Sequence, residues 1–262
     1  MQLDFILLEN QLPFFIIDKL FDLALPSMPP GSPSFVDLTF DYFYYYNREK
    51  MSPDPELEIL HFADLLRKFY LPPRLPNRMP KRIEHMYTAT QLVGVGLKFE
   101  ADRSSTCLLD LHLDYKKGVL KIPQFILEDG TELYVRNILA LEQCQYPSQA
   151  YVTDYFILFN FLLNDEKDLD VLRRQGILVN GFGNKHVTNF INNLGTGMIY
   201  SNMSSKYCDI YIKLKMFYEE PGWLEYMRRN YFGTALRAVA STVTILTLIQ
   251  TVCSIISVVP HH

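Results

Sequence analysis

The sequence predicts a mainly α fold with a small antiparallel β-hairpin or sheet, plus one C-terminal transmembrane helix. Three observations predict it. Apolar residues recur at three- and four-residue steps over most of the chain, which is the periodicity of a helix with one buried face. Apolar and polar residues alternate over Leu109 to Asp114, within the segment Leu108 to Pro123. The stretch from Ala238 to Val259 contains no charged residue. At about 1.5 Å per residue it would make a helix of roughly 33 Å, close to the apolar thickness of a bilayer. The predicted organisation is a helical body over 1–231, a transmembrane helix over 235–259 and a short tail over 260–262.

The N-terminal segment 3–24 reads as helix in two pieces divided by Pro13. Leu7, Leu8, Leu12, Phe15 and Ile16 form its expected buried stripe. From Pro26 to Pro55 prolines and Gly31 punctuate an irregular region. Within it lies Asp41 to Lys50 (DYFYYYNREK), whose aromatic run suggests either a stacking surface or an aromatic helix packed on the body. Pro55 to Tyr70 reads as an amphipathic helix with Ile59, Phe62, Leu66 and Phe69 inward and Glu56, Asp64, Arg67 and Lys68 outward. Leu71 to Arg82 reads as a solvated linker, with Arg74, Arg78, Lys81 and Arg82 available to acidic groups.

Residues 83–93 read as helix. Leu109, Leu111 and Leu113 then alternate with Asp110, His112 and Asp114; Lys117-Gly118 turns the chain, and Val119, Leu120 and Ile122 return. This is a β-hairpin, to which Leu97 to Phe99 adds a third strand. Asp129 with Glu132 has the spacing of a capping box for a helix over 131–144. Tyr151 to Leu163 is apolar on nearly every face and reads as a central buried helix, too short to span a bilayer. Asn164, acidic Asp165 and Glu166, basic Arg173 and Arg174, and Gly176 mark the two ends of the next helix. Helices over 184–194 and 202–231 complete the body.

Composition narrows the function classes. The 262 residues carry a net charge of -4 and an isoelectric point near 5.9, which argues against nucleic-acid binding through a basic surface. Cys107, Cys144, Cys208 and Cys253 are widely spaced, a pattern of free, mostly buried thiols in a reducing compartment. The apolar N terminus is interrupted by Asp4, Glu9, Pro13 and Asp18, unlike a signal peptide; the body is expected in the cytosol.

No residue set announces a chemistry. The histidines form no HxxxH or HExxH pair, and His112 between Asp110 and Asp114 reads as a solvated strand face rather than three convergent metal ligands. The glycine pairs at Gly94/Gly96 and Gly181/Gly183 do not extend to a phosphate-binding loop, and no nucleophile elbow or kinase set occurs. Asn202-Met203-Ser204 is a glycosylation sequon, read here as an unmodified cytosolic asparagine. No catalytic residue, cofactor or metal is expected.

The tail carries the only site residues assigned from the sequence. Ala238, Ile245, Leu246, Leu248, Ile249, Ile255, Ile256 and Val259 would lie in the span. Arg228, Arg229, Arg237, Trp223, Tyr226, Tyr231 and Phe232 would form a basic and aromatic flank, which by the positive-inside rule keeps the body cytosolic. Thr247 and Thr251 have the small-xxx-small spacing of helix pairing.

Several ordered segments resemble one family. These are LLENQLPFFIIDKLF (Leu7 to Phe21), ATQLVGVGLKF (Ala89 to Phe99), LLDLHLDYKKGVLKIP (Leu108 to Pro123) and ILALEQCQYP (Ile138 to Pro147). YVTDYFILFNFLLN (Tyr151 to Asn164), DVLRRQGILVN (Asp170 to Asn180) and LTLIQT (Leu246 to Thr251) follow in order. Together they resemble the plant family named domain of unknown function 247 (UPF0481-type proteins). The resemblance covers essentially the whole chain. It implies a plant protein with a mainly helical domain and a C-terminal membrane helix, and brings no catalytic residues. Met1 stands just before the first motif, where relatives have a further region, so the resemblance implies a short form, a divergent copy or an incomplete gene model. If that region normally packs on the body, the face of Leu8, Phe15 and Ile16 is expected to be exposed and stability reduced.

The expected function is that of a single-pass membrane-anchored, non-enzymatic interaction or recognition module. Its expected partners are the lipid bilayer through the C-terminal helix, and protein partners or a second copy, with no nucleic acid. Plasma membrane and endomembrane are equally compatible. The alternatives are an enzyme with an unrecognised site in the helical body, and a non-functional truncated family copy.

Overall fold

The computed structural model of the chain describes residues 2–54, 56–81, 83, 85–195, 202–220 and 242–251. Two short 3-10 turns, Leu3–Phe5 and Leu8–Asn10, lead into α1 (Phe14–Ala24), α2 (Phe35–Tyr42) and α3 (Phe62–Tyr70). Then come β1 (Arg78–Met79), α4 (Ala89–Gly94), β2 (Lys98–Asp102), β3 (His112–Asp114), β4 (Val119–Pro123) and β5 (Phe125–Leu127). The C-terminal half contains α5 (Thr131–Gln145), α6 (Tyr151–Leu162), α7 (Glu166–Arg174), β6 (Leu178–Asn180), α8 (Asn184–Gly195), β7 (Met203–Ser204) and α9 (Ser205–Glu219).

Helix α6 is the centre of the molecule. It is apolar on nearly all sides, as expected, and it packs against α5, α8 and α9. Tyr155, Phe156 and Phe159 are almost wholly buried, and Phe125 of β5 meets the last two edge-on at 5.7 and 6.2 Å. The apolar side chains of these elements join one continuous core with those of α3, α4 and the small sheets.

The β content is a three-stranded sheet in the order β2-β4-β3 and two two-stranded ladders, β1-β7 and β5-β6. The hairpin forms as its alternation predicts, with Leu113 opposite Leu120. Gly118 turns it with φ at 64°. The third strand is present and pairs parallel to β4, with Phe99 opposite Leu120. The two ladders have too few residues to leave a periodic signature.

Several local readings change. Helix α2 was hidden in the proline-punctuated region; Ser34 starts it with a capping box, accepting from the Asp37 amide at 3.1 Å while the Asp37 carboxylate accepts from the Ser34 amide at 2.9 Å. Helix α3 is shorter than the segment 55–70, and Asp64 and Arg67 are buried rather than outward. The capping box of Asp129 and Glu132 does not form: Gly130 occupies the N-cap with φ at 87° and no side-chain bond. Of the expected N-terminal stripe, Leu12, Phe15 and Ile16 are exposed, whereas Ile6 and Phe14 are buried.

The transmembrane helix predicted over 235–259 is overturned. Among the described residues no helix is long and apolar enough to cross a membrane. Residues 242–251 are helical and exposed, a length of about 15 Å against the roughly 30 Å of a bilayer core. Ile245, Leu246, Leu248 and Ile249 lie on this piece, and the Thr247 and Thr251 hydroxyls donate to carbonyls four residues back. Ala238, Ile255, Ile256, Val259 and the flank residues Trp223, Tyr226, Arg228, Arg229, Tyr231, Phe232 and Arg237 lie outside the described residues. The mainly helical body with a few strands stands; the membrane-spanning element does not.

Candidate functional site

Four carboxylates lie inside the body, and both oxygens of each are engaged by protein groups. Glu142, near the end of α5, points at the start of α6, whose N-cap Ala150 offers no side-chain acceptor. One Glu142 oxygen accepts from Arg67 Nε at 3.0 Å and the Val152 amide at 3.2 Å. The other accepts from the Thr153 amide at 2.7 Å and its hydroxyl at 2.8 Å. A carboxylate from another helix thus satisfies the orphan amides of the first turn and complements the helix dipole. Arg67 also donates to the Gln149 carbonyl at 2.6 Å and stacks 4.1 Å above the Tyr146 ring. Burial pushes the Glu142 carboxyl up, and the Arg67 charge and the α6 donors pull it back.

Asp154 sits one turn further along α6. Arg78 grips it through both terminal nitrogens, at 2.7 and 3.2 Å, and the Ser204 amide donates to it at 2.8 Å. This ties the β1-β7 ladder to the central helix. Arg78 is therefore an anchor, not part of a solvated linker, and its remaining donors reach the carbonyl and side chain of Asn202. Burial raises the Asp154 carboxyl to about 7 against the pull of Arg78. Asp168 accepts from the Thr90 amide at 2.8 Å and from the Asn164 and Asp165 amides at 3.1 and 3.2 Å. It joins the starts of α4 and α7, and these donors hold its carboxyl below the usual range. Asp64 accepts from the Leu60 amide and the Tyr146 hydroxyl.

Groups so enclosed and saturated join helix starts; they have no oxygen facing a substrate. A motif search does not find them. The signal present in the sequence is a lone acid in an apolar run, Glu142 in ILALEQ and Asp154 in YVTDYF, since unpaired acids are almost never buried. Among the described residues no three His, Cys, Asp or Glu side chains could hold a metal ion. Around His112, Asp110 pairs with Lys206 and Asp114 with Lys117. Cys107 and Cys208 are buried free thiols, Cys144 is exposed, and Cys253 lies outside the described residues.

The surface feature without an internal use is α1. Phe14 is buried, packing against Phe35 at 5.2 Å and Phe62 at 5.9 Å, and Phe21 follows one helical repeat later against Phe35. The opposite face is apolar too: Phe15 is 61%, Leu20 57% and Leu23 76% exposed, with Ile16 beside them. Apart from Asp18, Lys19 and Asp22 the residues of α1 are apolar, and an apolar helix face is ordinarily turned to a core. On one side of α1 lies an aromatic groove of about 260 Å³ walled by Phe21, Phe35, Leu38, Tyr42 and Phe62. On the other lies a groove of about 550 Å³ walled by Leu12, Phe15, Ile59, Leu60 and His61. Of Leu8, Phe15 and Ile16, the face expected to be open, Phe15 and Ile16 are exposed and Leu8 is half-buried.

A profile of the DUF247 family, described as plant protein of unknown function, matches residues 1–250. The "UPF0481 protein At3g47200" of Arabidopsis thaliana is 25% identical, over 76% of this chain and 47% of its own length. The chain thus spans about half the length of the curated relative it matches. No solved structure matches. The chain belongs to the DUF247 family.

Proposed function

We propose that this DUF247 chain is a non-enzymatic interaction module that captures an amphipathic helix of another protein on the outer face of α1. The observation that carries the reading is the second apolar face of α1, left open between two grooves. Fully burying one such side chain is worth roughly 2 kcal/mol. Covering the open fractions of Phe15, Ile16, Leu20 and Leu23 then contributes about 5 kcal/mol before the costs of association. That is too little for micromolar binding, so the partner must also fill the flanking grooves.

Lys19 identifies the kind of partner. It lies in the middle of the stripe formed by Phe15, Ile16, Leu20 and Leu23. Two-fold pairing of α1 with its own copy would bring Lys19 against Lys19, and like charges at an interface reject a partner. The helix 242–251 carries no carboxylate to meet Lys19. The occupant we propose is a different chain, with an apolar stripe interrupted by one acidic residue.

The test uses the full chain and two helical peptides with identical apolar stripes, one with Glu and one with Lys at the centre. The Glu-centred peptide is expected to bind at least tenfold more tightly in fluorescence anisotropy, Leu23→Glu to abolish binding, and Lys19→Glu to reverse the preference. Equal binding of both peptides, or a preference unchanged in Lys19→Glu, refutes the reading. So does self-association of the chain that Leu23→Glu disperses.

A further inference from the structure

The three buried or half-buried arginines of the body differ in one respect. Arg67 and Arg78 each meet a carboxylate, whereas Arg48 meets none among the described residues. Among the described residues its side chain makes one hydrogen bond, a donation from a terminal nitrogen to the Gln124 carbonyl at 3.1 Å. The backbone that carries it is fixed, because the Asn47 side chain bridges to both the amide and the carbonyl of Met51, at 2.8 and 2.7 Å. A half-buried guanidinium with most of its five donors unused calls for an acceptor from outside.

Arg48 lines a pocket of about 190 Å³ together with Tyr46, Tyr70, Tyr134, Phe125 and Ile126. Tyr46 meets Tyr134 edge-on at 5.4 Å, and Tyr70 stacks on Tyr134 at 6.0 Å. The positive charge of Arg48 acts on the Tyr70 and Tyr134 phenols and on that of Tyr155, so the guanidinium faces into the aromatic cluster. The Tyr155 hydroxyl is buried with no hydrogen-bond partner. Glu128 accepts from the hydroxyl of Tyr45 at the pocket rim.

We propose that this pocket binds a small aromatic carboxylate. The guanidinium fork matches a carboxylate bidentately, and flat aromatic walls select an aromatic body by offset or edge-on contact. The volume sets the size: an apolar cavity of about 150 Å³ holds benzene, so this one holds a single ring and its carboxylate and excludes a nucleotide. One cation among aromatic walls also disfavours a multiply charged, fully hydrated anion such as inorganic phosphate. Occupancy would give Arg48 the counter-charge that its two counterparts find within the protein.

Benzoate is the probe, titrated into the full chain and followed by calorimetry, with benzyl alcohol and inorganic phosphate as controls. Benzoate is expected to saturate the protein at or below about 1 mM. Arg48→Met should weaken benzoate at least tenfold and leave the weak binding of benzyl alcohol unchanged. Ile126→Trp, which fills the pocket mouth from a partly exposed position, should abolish benzoate binding with Arg48 intact and thermal unfolding unaltered. No binding of benzoate at 10 mM overturns the proposal, as does equal affinity in Arg48→Met. Phosphate binding as tightly as benzoate overturns it as well.

Discussion

Replacing Glu142 by Gln removes one charge and changes no shape, and it tests whether the buried acids hold the fold. Glu142 accepts four hydrogen bonds, two per oxygen. A glutamine keeps one accepting oxygen. If that oxygen faces Arg67 and Val152, the new amide meets the Thr153 amide donor to donor; the Thr153 hydroxyl can rotate and accept. One buried backbone donor is orphaned, at about 1–3 kcal/mol, and Arg67, 2% exposed, loses its counter-charge. Breaking one side of a buried pair costs about 3–5 kcal/mol, so Glu142→Gln should destabilise by about 3 kcal/mol and Glu142→Ala by more. Against a usual stability of about 5–15 kcal/mol this is a large share. Urea unfolding of the full chain by circular dichroism measures it as a lower midpoint at unchanged slope. Arg67→Met with Glu142→Leu should recover much of the loss, because apolar pairs of similar volume often replace buried ion pairs at little cost. A Glu142→Gln midpoint within 1 kcal/mol of the parent, or a double variant worse than the sum of the singles, would refute the assigned role.

Four further outcomes are expected. Burial raises Asp154 from 3.8 to about 7, so between those values the folded state holds a proton that the unfolded state has released. Its contribution is present below pH 4 and lost as pH rises through 7, at up to about 1.4 kcal/mol per unit. The melting temperature of the parent should fall relative to Asp154→Asn between pH 5 and 7.5, and parallel profiles would contradict this. Asp168 has the opposite sign: its carboxyl is lowered, so its contribution exists above pH 4 and is lost on acidification, and Asp168→Asn should flatten the acid limb of the same profile. In a Cys253→Ser background, an aromatic disulfide reagent should label Cys144 quickly and leave Cys107 and Cys208 until unfolding. Cys107 is buried and its thiol is pushed up to about 11, and two or more fast equivalents would be the contrary result. Gly130→Ala should cost about 1–2 kcal/mol, since φ is 87° and an added Cβ would lie 2.7 Å from Leu3 Cδ1; an unchanged urea midpoint would show that the turn relaxes.

The long periodic elements were legible because burial of one face or of all faces leaves a mark in the order of residues. Tyr151 to Leu163 and the alternating hairpin have nearly the bounds that their patterns imply. What was illegible depends on distant partners. Arg67 and Arg78 read as outward charges because their carboxylates lie 75 and 76 residues away. The pairing of β1 with β7 joins residues still farther apart in the chain, Arg78 with Ser204 and Met79 with Met203, and neither strand is long enough to show a period. The apolar tail read as a membrane span on its length, its basic and aromatic flank and the family resemblance; the described helix over 242–251 does not meet the length criterion.

The same asymmetry separates the two kinds of surface the fold presents. Charged side chains that local pattern places outside are drawn in wherever a helix start lacks a cap, as at Ala150, where Glu142 supplies what the N-cap does not. Apolar side chains that local pattern places inside are left out on α1, because Phe14 and Phe21 turn its other face to Phe35 and Phe62. A buried stripe and an open docking face have one periodicity and differ in what lies opposite. For α1 the face toward Phe35 is taken, and the face of Phe15, Leu20 and Leu23 is open among the described residues. On the function proposed above, Lys19 in the middle of that face is the residue whose charge selects what covers it.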